Sequence, residues 1–374
     1  ARAEASSDKA DANAFMDLST VLQLRGEHDL ALTIQAQALE MQQLFSPPTA
    51  AREGALRVLA LMGAGDLMSN TPLEFLLEDA DIALTLLYIS PGLPLPASLP
   101  EHDVLFVAVG ESSENAPLLQ ALDDILATWP RPVLNRPAGI ARLARDSTCA
   151  LLQTIPRLLM PTTVRLRRDH LAQIGLGKIG LTATLADGSF PIIVRPVDSH
   201  AGNGLAKLDQ AAIGDYLDAM QQDEFYISRF VDYRSQDGLF RKYRIVLIEG
   251  RPFVCHMAIS SHWMIHYLNA GMTDSAEKRA EEERFMASFD HAFAPRHAAA
   301  FDAVYRRMGL DYVDMDCGET ADGDLLIFEV DSNMIVHAMD PVDLFPYKQP
   351  QMRKVFSAFQ EMLRHAAGSN RTAP

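Results

Sequence analysis

The stretch Asp311–Asn333, "DYVDMDCGETADGDLLIFEVDSN", decides how this chain is read. "DYVDMD" alternates acidic and apolar residues, and the "LLIF" before Glu329 is apolar and β-prone, so the stretch reads as strand, turn, strand. Residues i and i+2 of a strand share a face. Asp314 therefore joins Asp316, and Glu329 joins Asp331. Asp322–Gly323 is a strong hairpin signal. A two-residue turn there sets Asp316 opposite Glu329 and Asp314 opposite Asp331, whereas a longer loop within "GETADGD" would change that register. Four carboxylates on one face repel each other unless something positive lies between them. The face is either a solvent-facing acidic ribbon or a divalent cation site. Met315 and the LLIF run favour a ribbon that packs on something, and with it the cation. The donors are all oxygen, with no cysteine and no clear histidine, which suits Mg²⁺ or Mn²⁺ better than zinc.

Composition bounds the rest. The chain has 374 residues, 48% hydrophobic and 22% charged, which predicts a folded protein of two or three domains. No run of about 18 apolar residues occurs, so no membrane-spanning helix is expected. The opening "ARAEASSDKADANAF" has no apolar signal core and no Met, and reads as a processed or truncated start without a secretory leader. The cysteines, Cys149, Cys255 and Cys317, are odd in number and unmatched in spacing, which predicts a reducing, cytoplasmic setting. A net charge of −16 argues against general nucleic-acid binding but leaves room for an anion in a local basic pocket.

The organisation follows from texture. Residues 1–12 are small and polar. Phe15–Phe45 carries two helical periodicities broken at Gly26, similar to one tetratricopeptide hairpin and equally consistent with an ordinary helical pair. From Ala55, the short apolar runs "ALRVLALM", "DIALTLLYI", "DVLFVAVG" and "RPVLN" alternate with helical stretches such as Ala116–Trp129. That predicts a parallel α/β sheet with ligand-facing loops "GAGDLMSNTP" and "GESSENAP". A β-rich region with antiparallel hints follows. "GLGKIG", Gly175–Gly180, matches a dinucleotide fingerprint letter for letter, but a helical run precedes it and strand and turn are expected after it, so it is rejected.

Basic residues sit among the predicted strands. Arg195 ends the apolar run "FPIIVRP", and Ser199–Gly204 follow as a small-residue loop whose Gly202 and Gly204 let backbone N–H groups approach an anion. "KYRIVLIEGRPFVCHMA" reads as a hairpin turning at Glu249–Gly250, with Arg241, Lys242 and Arg244 at its start. In "HMAISSHWMIHYLNAGM", His262 and His266 are spaced four apart, as on one face of a helix, but without the Glu of a zinc motif the stretch reads rather as a wall anchored by Trp263.

The order of these pieces resembles the ATP-grasp superfamily over residues 161–347, and the α/β segment before it resembles the usual pre-ATP-grasp domain. Glutathione synthetase and ligases that add glutamate to ribosomal proteins are the nearest look-alikes, above all bacterial chains that carry a tetratricopeptide-like segment. The resemblance implies α/β and α+β architecture: a helical segment over 1–54, a pre-ATP-grasp domain over 55–155, and an ATP-grasp domain over 156–368 whose two subdomains join near 228–232. It also implies ATP with Mg²⁺ or Mn²⁺, two ions in all. Asp316, Glu329 and Asp331 fall on the metal triad, with Asp331 where the family usually has Asn, and with Asn333 nearby. Arg145 and Arg195 stand where relatives carry Lys, and keep the charge. Ser199, His200, Gly202 and Gly204 match the loop over the phosphates. Ser228, Arg229, Phe230 and Val231 match the adenine linker, with Arg229 in place of a common Glu, and Asp232 matches a ribose contact. Lys242 replaces a frequent Asp. Arg244 matches the Arg facing the γ-phosphate, and Asn269 a phosphate-reaching Asn. The implied activity is an ADP-forming ligase that joins a small-molecule or peptide carboxylate to an amine through an acyl phosphate. A kinase on the same scaffold and a non-catalytic ATP-binding adaptor are the alternatives. No nucleic acid or membrane is implied, and a homodimer is compatible with the reading.

Overall fold

The computed structural model describes residues 11–47, 50–90, 92–199 and 202–369. The chain opens on two antiparallel helices, α1 (Ala12–Leu24) and α2 (His28–Met41). Asp11 caps α1 by accepting from Asn13 N, and Gly26, at φ +81°, makes the turn between them. The first sheet follows. It comprises β1 (Leu44–Phe45), β2 (Leu56–Gly63), β3 (Ile82–Ile89), β4 (Val104–Val107) and β5 (Val133–Leu134), in the order β1-β3-β2-β4-β5. All its pairs are parallel except β1 with β3. Its strands are apolar runs because both faces are covered. Leu59, Leu61, Leu105 and Val107 pack toward the helix Ala116–Leu126, and Val58, Ala60, Met62 and Phe106 toward the helix Lys348–Ser369.

After a short strand β6 (Leu158–Leu159), a second sheet forms from β7 (Thr163–Arg167), β8 (Ile192–Pro196), β9 (Ala206–Leu208) and β10 (Glu224–Arg229), in the order β7-β10-β8-β9. It is antiparallel throughout and covers its own small core of Leu171, Ile174, Val194, Ile213 and Phe225. The third sheet is β12-β11-β13-β14-β6, with β11 (Phe240–Ile248), β12 (Arg251–Ser260), β13 (Tyr312–Glu319) and β14 (Leu325–Asp331). The Glu249–Gly250 hairpin forms as read from the sequence, and both turn residues take positive φ, +48° and +79°. The helix Lys348–Ser369 packs back between the first and third sheets. Its Phe359 ring lies 5.6 Å from Phe106 and 5.3 Å from Tyr312.

Three expectations are corrected here. The β13–β14 connection is not a two-residue turn: Glu319 pairs with Leu325, which leaves a five-residue loop. A bulge between Asp316 and Cys317 then shifts the register back, so Asp316 still faces Glu329 and Asp314 still faces Asp331. Gly175–Gly180 is indeed preceded by a helix, Arg168–Gly175, but a four-residue helix, Leu181–Thr184, follows it rather than a strand. His262 and His266 lie in an irregular segment ahead of a 3₁₀ turn, so their spacing puts them on no helical face. His200 lies outside the described residues.

Candidate active site

One row of cross-strand partners organises the site. His256, Arg244, Asp316 and Glu329 are successive partners on β12, β11, β13 and β14. A bulge interrupts the ladder beside this row on each side, between Arg244 and Ile245 and between Asp316 and Cys317. Consecutive strand residues normally face opposite ways. The bulges let Cys255 and His256, and likewise Phe328 and Glu329, all line the same cavity. That cavity has a volume of about 470 Å³ and is walled by residues of the second and third sheets.

Cations flank the adjacent carboxylates of the row. Arg244 grips Asp316 with Nε to Oδ1 at 2.9 Å and Nη2 to Oδ2 at 3.1 Å, and Lys242 Nζ lies 2.8 Å from Oδ2. Burial alone would push the Asp316 carboxyl up, but Arg244 and Lys242 hold it far below the usual carboxylate range. Arg145 pairs with Glu329 and also donates to the Phe328 carbonyl at 3.2 Å. Burial pushes Glu329 up as well, and Arg145 with Arg195 outweighs it, so its net shift is downward. Asp331 has weaker compensation. Burial, and then the charge of Glu329, push it up to about 7. Arg195 is driven down to about 10 by burial and by Arg145. Its guanidinium donates to the Ser199 carbonyl.

The remaining predicted residues divide. Gly202, Ser228, Arg229, Phe230, Val231 and Asn269 line the cavity with the row, and Ser199 and Gly204 do not. Both glycines take positive φ, +77° and +68°, and a Cβ on Gly204 would crowd the Pro196 ring at 2.7 Å. Trp263 stacks edge-on against Phe230 at 5.8 Å, and its carbonyl accepts from the Tyr233 hydroxyl at 2.6 Å, which fixes the apolar wall. Arg229 is drawn aside by Asp187 at 2.9 Å, and Asp232 is held by Arg234 and does not line the cavity. Asn333 also lies off the cavity. Its amide donates to the Met68 carbonyl, and its Oδ1 is buried with no partner.

Asp316, Glu329 and Asp331 offer only hard oxygen donors on one ribbon face, and the crowding that raises Asp331 is what a divalent cation would relieve. The donor set therefore fits Mg²⁺ or Mn²⁺. Two of its carboxylates are engaged by side-chain cations, and among the described residues no three His, Cys, Asp or Glu side chains converge as a ready-made metal group.

Sequence reasoning missed the far end. Lys348 is buried between Asp340 at 3.1 Å and Glu282 at 3.6 Å, and Glu282 accepts from Tyr347 at 2.7 Å, from Tyr267 at 3.0 Å and from Met257 N at 2.9 Å. Glu282 comes from the strongly charged helix Ala276–Ser288, where one buried acid among exposed ones gives no periodic signal. Met68, from the loop after β2, also reaches the cavity.

No protein-family model matches the sequence, and no curated protein matches it. Solved structures do. The VanG D-Ala:D-Ser ligase of Enterococcus faecalis aligns over 84% of this chain and 99% of its own, at 13% identity and a TM-score of 0.52. A D-alanine–D-alanine ligase of Bacillus anthracis, solved with ATP, aligns over 84% and 99%, at 14% identity and a TM-score of 0.50. With one antiparallel sheet and one mainly antiparallel sheet enclosing one cavity behind a mainly parallel α/β sheet, the chain has the ATP-grasp fold.

Proposed function

We propose that this protein is an ATP-dependent ligase that joins a carboxylate to an amine through an acyl phosphate and releases ADP and phosphate. The observation that carries the reading is the gathering of Arg145, Arg195, Lys242 and Arg244 with Asp316, Glu329 and Asp331 around one cavity. An apolar slot of Phe230, Val231 and Trp263 adjoins it and takes a purine face.

A carboxylate is a poor electrophile, and a γ-phosphoryl group on its oxygen makes its carbon open to attack. Phosphoryl transfer depends on positioning and charge neutralisation more than on covalent chemistry by the protein. Arg195 and Arg244 approach from opposite sheets and are fixed donors for the transferring phosphoryl oxygens. Asp316, Glu329 and Asp331 would hold Mg²⁺, which neutralises phosphate charge. With the metal bound, Arg145 and Lys242 would be free of Glu329 and Asp316 to face the nucleotide's oxygens. The carboxylate oxygen attacks the γ-phosphorus and ADP leaves with the electron pair of the bond that breaks; the amine then attacks the acyl carbon, the bond to phosphate oxygen breaks, and inorganic phosphate leaves with that electron pair and takes up the proton the nitrogen loses.

The test is hydroxylamine trapping. With ATP, Mg²⁺ and a panel of carboxylic acids, the expected result is a hydroxamate with equal amounts of ADP and phosphate, lost in Arg244→Ala. A stable phosphorylated product that ignores amines overturns the reading in favour of a kinase. AMP with pyrophosphate overturns both.

A further inference from the structure

Past Arg244 the cavity runs toward the start of the helix Lys348–Ser369. Arg244 Nη1 donates to the Ile335 carbonyl at 3.2 Å, and Met334, Ile335, Val336 and Cys255 give this stretch an apolar lining. At its end Lys348 Nζ meets the Tyr267 hydroxyl on one side and Asp340 on the other. Tyr267, Leu268 and Asn269 line the first side, and His337 and Asp340 the second. The two lips are thus within reach of one side chain.

Each lip also carries an exposed apolar side chain beside its polar ones. Leu268 is 83% exposed although it lines the cavity, and Met339, between His337 and Asp340, is 59% exposed, with Val342 close behind at 57%. Among the described residues, exposed large apolar side chains gather chiefly here and on α1 and α2. Clustered exposure next to a cavity marks a contact surface, where scattered exposure would not. The charge at the far end of the path is already matched: Lys348 by Asp340 and Glu282. His256, His266 and His337 are held neutral, by burial first, with neighbouring cations adding to it for His256 and His266. A charged tail would find no partner there.

Resting on the ligase reading, we propose that the carboxylic acid joined here carries an apolar tail, alkyl or aryl, that runs from Arg244 along Ile335 and emerges between Leu268 and Met339. The head is held by a cation and the tail by dispersion and dehydration, so affinity should follow the length of the tail.

The experiment uses straight-chain carboxylic acids from acetate to decanoate. Equilibrium binding is measured with a non-hydrolysable ATP analogue and Mg²⁺, and hydroxamate formation is measured with ATP and hydroxylamine. The expected result is affinity rising about 2–4-fold per methylene across the middle of the series, flattened in the double variant Leu268→Asn/Met339→Asn. Both positions are exposed, so the variant should fold. Binding independent of length, or length-dependent binding that the double variant leaves unchanged, overturns the proposal. Hydroxamate from short hydrophilic acids alone also overturns it and leaves the ligase reading standing. Length-dependent binding that the double variant flattens, with no hydroxamate from any acid, sinks the ligase reading and supports the tail site.

Discussion

Arg244 and Asp316 lie directly opposite each other on β11 and β13, and their side chains meet in a fork at 2.9 and 3.1 Å. Lys242 adds a third bond from the same strand. Removing one partner of a buried ion cluster leaves the others dehydrated and unmatched, at about 3–5 kcal/mol. Asp316→Asn should cost that much in urea unfolding, and Lys242→Met considerably less, because Arg244 still satisfies the carboxylate. A loss below about 1 kcal/mol in Asp316→Asn would mean that the cluster is wet rather than buried.

Asp331 contributes to the pH dependence. Its folded value is up to about 7, from burial and from Glu329, and Glu111 is raised to about 7 by burial and by Asp198. An unfolded carboxyl titrates near about 4. The native state therefore keeps these protons longer than the unfolded chain does. Their contribution is complete below about pH 4 and is lost as pH rises through about 7. Without metal or nucleotide, the urea midpoint of Asp331→Asn should fall less, or rise more, from pH 5 to pH 8 than that of the native chain, whose buried neutral His256, His266 and His337 act in the opposite direction. An unchanged slope in the variant would show that Asp331 ionises freely.

The acidic ribbon was legible because its signals are local. The alternation in "DYVDMD", the apolar run before Glu329 and the Asp322–Gly323 turn lie within one hairpin. Its register was right for a reason the sequence did not display: a five-residue loop and a bulge offset each other. The parallel sheet was legible because burial on both faces leaves unbroken apolar runs. What pairs with each carboxylate was not legible. Arg145 meets Glu329 across 184 positions, and Lys348 meets Glu282 across 66, and neither end of such a pair constrains the other in sequence. The family resemblance set Asn333 beside the metal triad, yet the close approach of Gly110 and Met68 turns it away from the cavity.

Gly110 supplies a third prediction. A Cβ there would overlap the Asn333 amide and press on the Ser69 carbonyl at 3.1 Å. Gly110→Ala should break the Asn333–Met68 bond and tilt the end of β14, which carries Asp331. The expected cost is about 1–3 kcal/mol, with a larger loss of turnover. Adding Asn333→Ala should recover part of the stability, because it empties the space the methyl needs. Strictly additive losses in the double variant would place the strain elsewhere.

The helical pair at the start of the chain reaches the loop after β2 through Gln35. Gln35 of α2 donates to the Gly65 carbonyl and accepts from Gly65 N, both at 2.8 Å. Gly65 sits at φ +151°, where a Cβ would overlap Ser69, so this loop has little freedom of its own. From it Met68 enters the cavity, and Thr71 donates to the Ser332 carbonyl at 2.7 Å, one residue past β14. Gln35→Ala removes both bonds to a partly buried backbone, at about 1–2 kcal/mol together. On the ligase reading proposed above, it should raise the KM for the acid several-fold while nucleotide affinity stays constant, because Gln35 bonds to no residue of the linker 228–231. Steady-state kinetics with varied acid, beside nucleotide binding followed by fluorescence, separates the two. Equal losses for acid and nucleotide would mean that α2 supports the fold as a whole and has no particular hold on the loop.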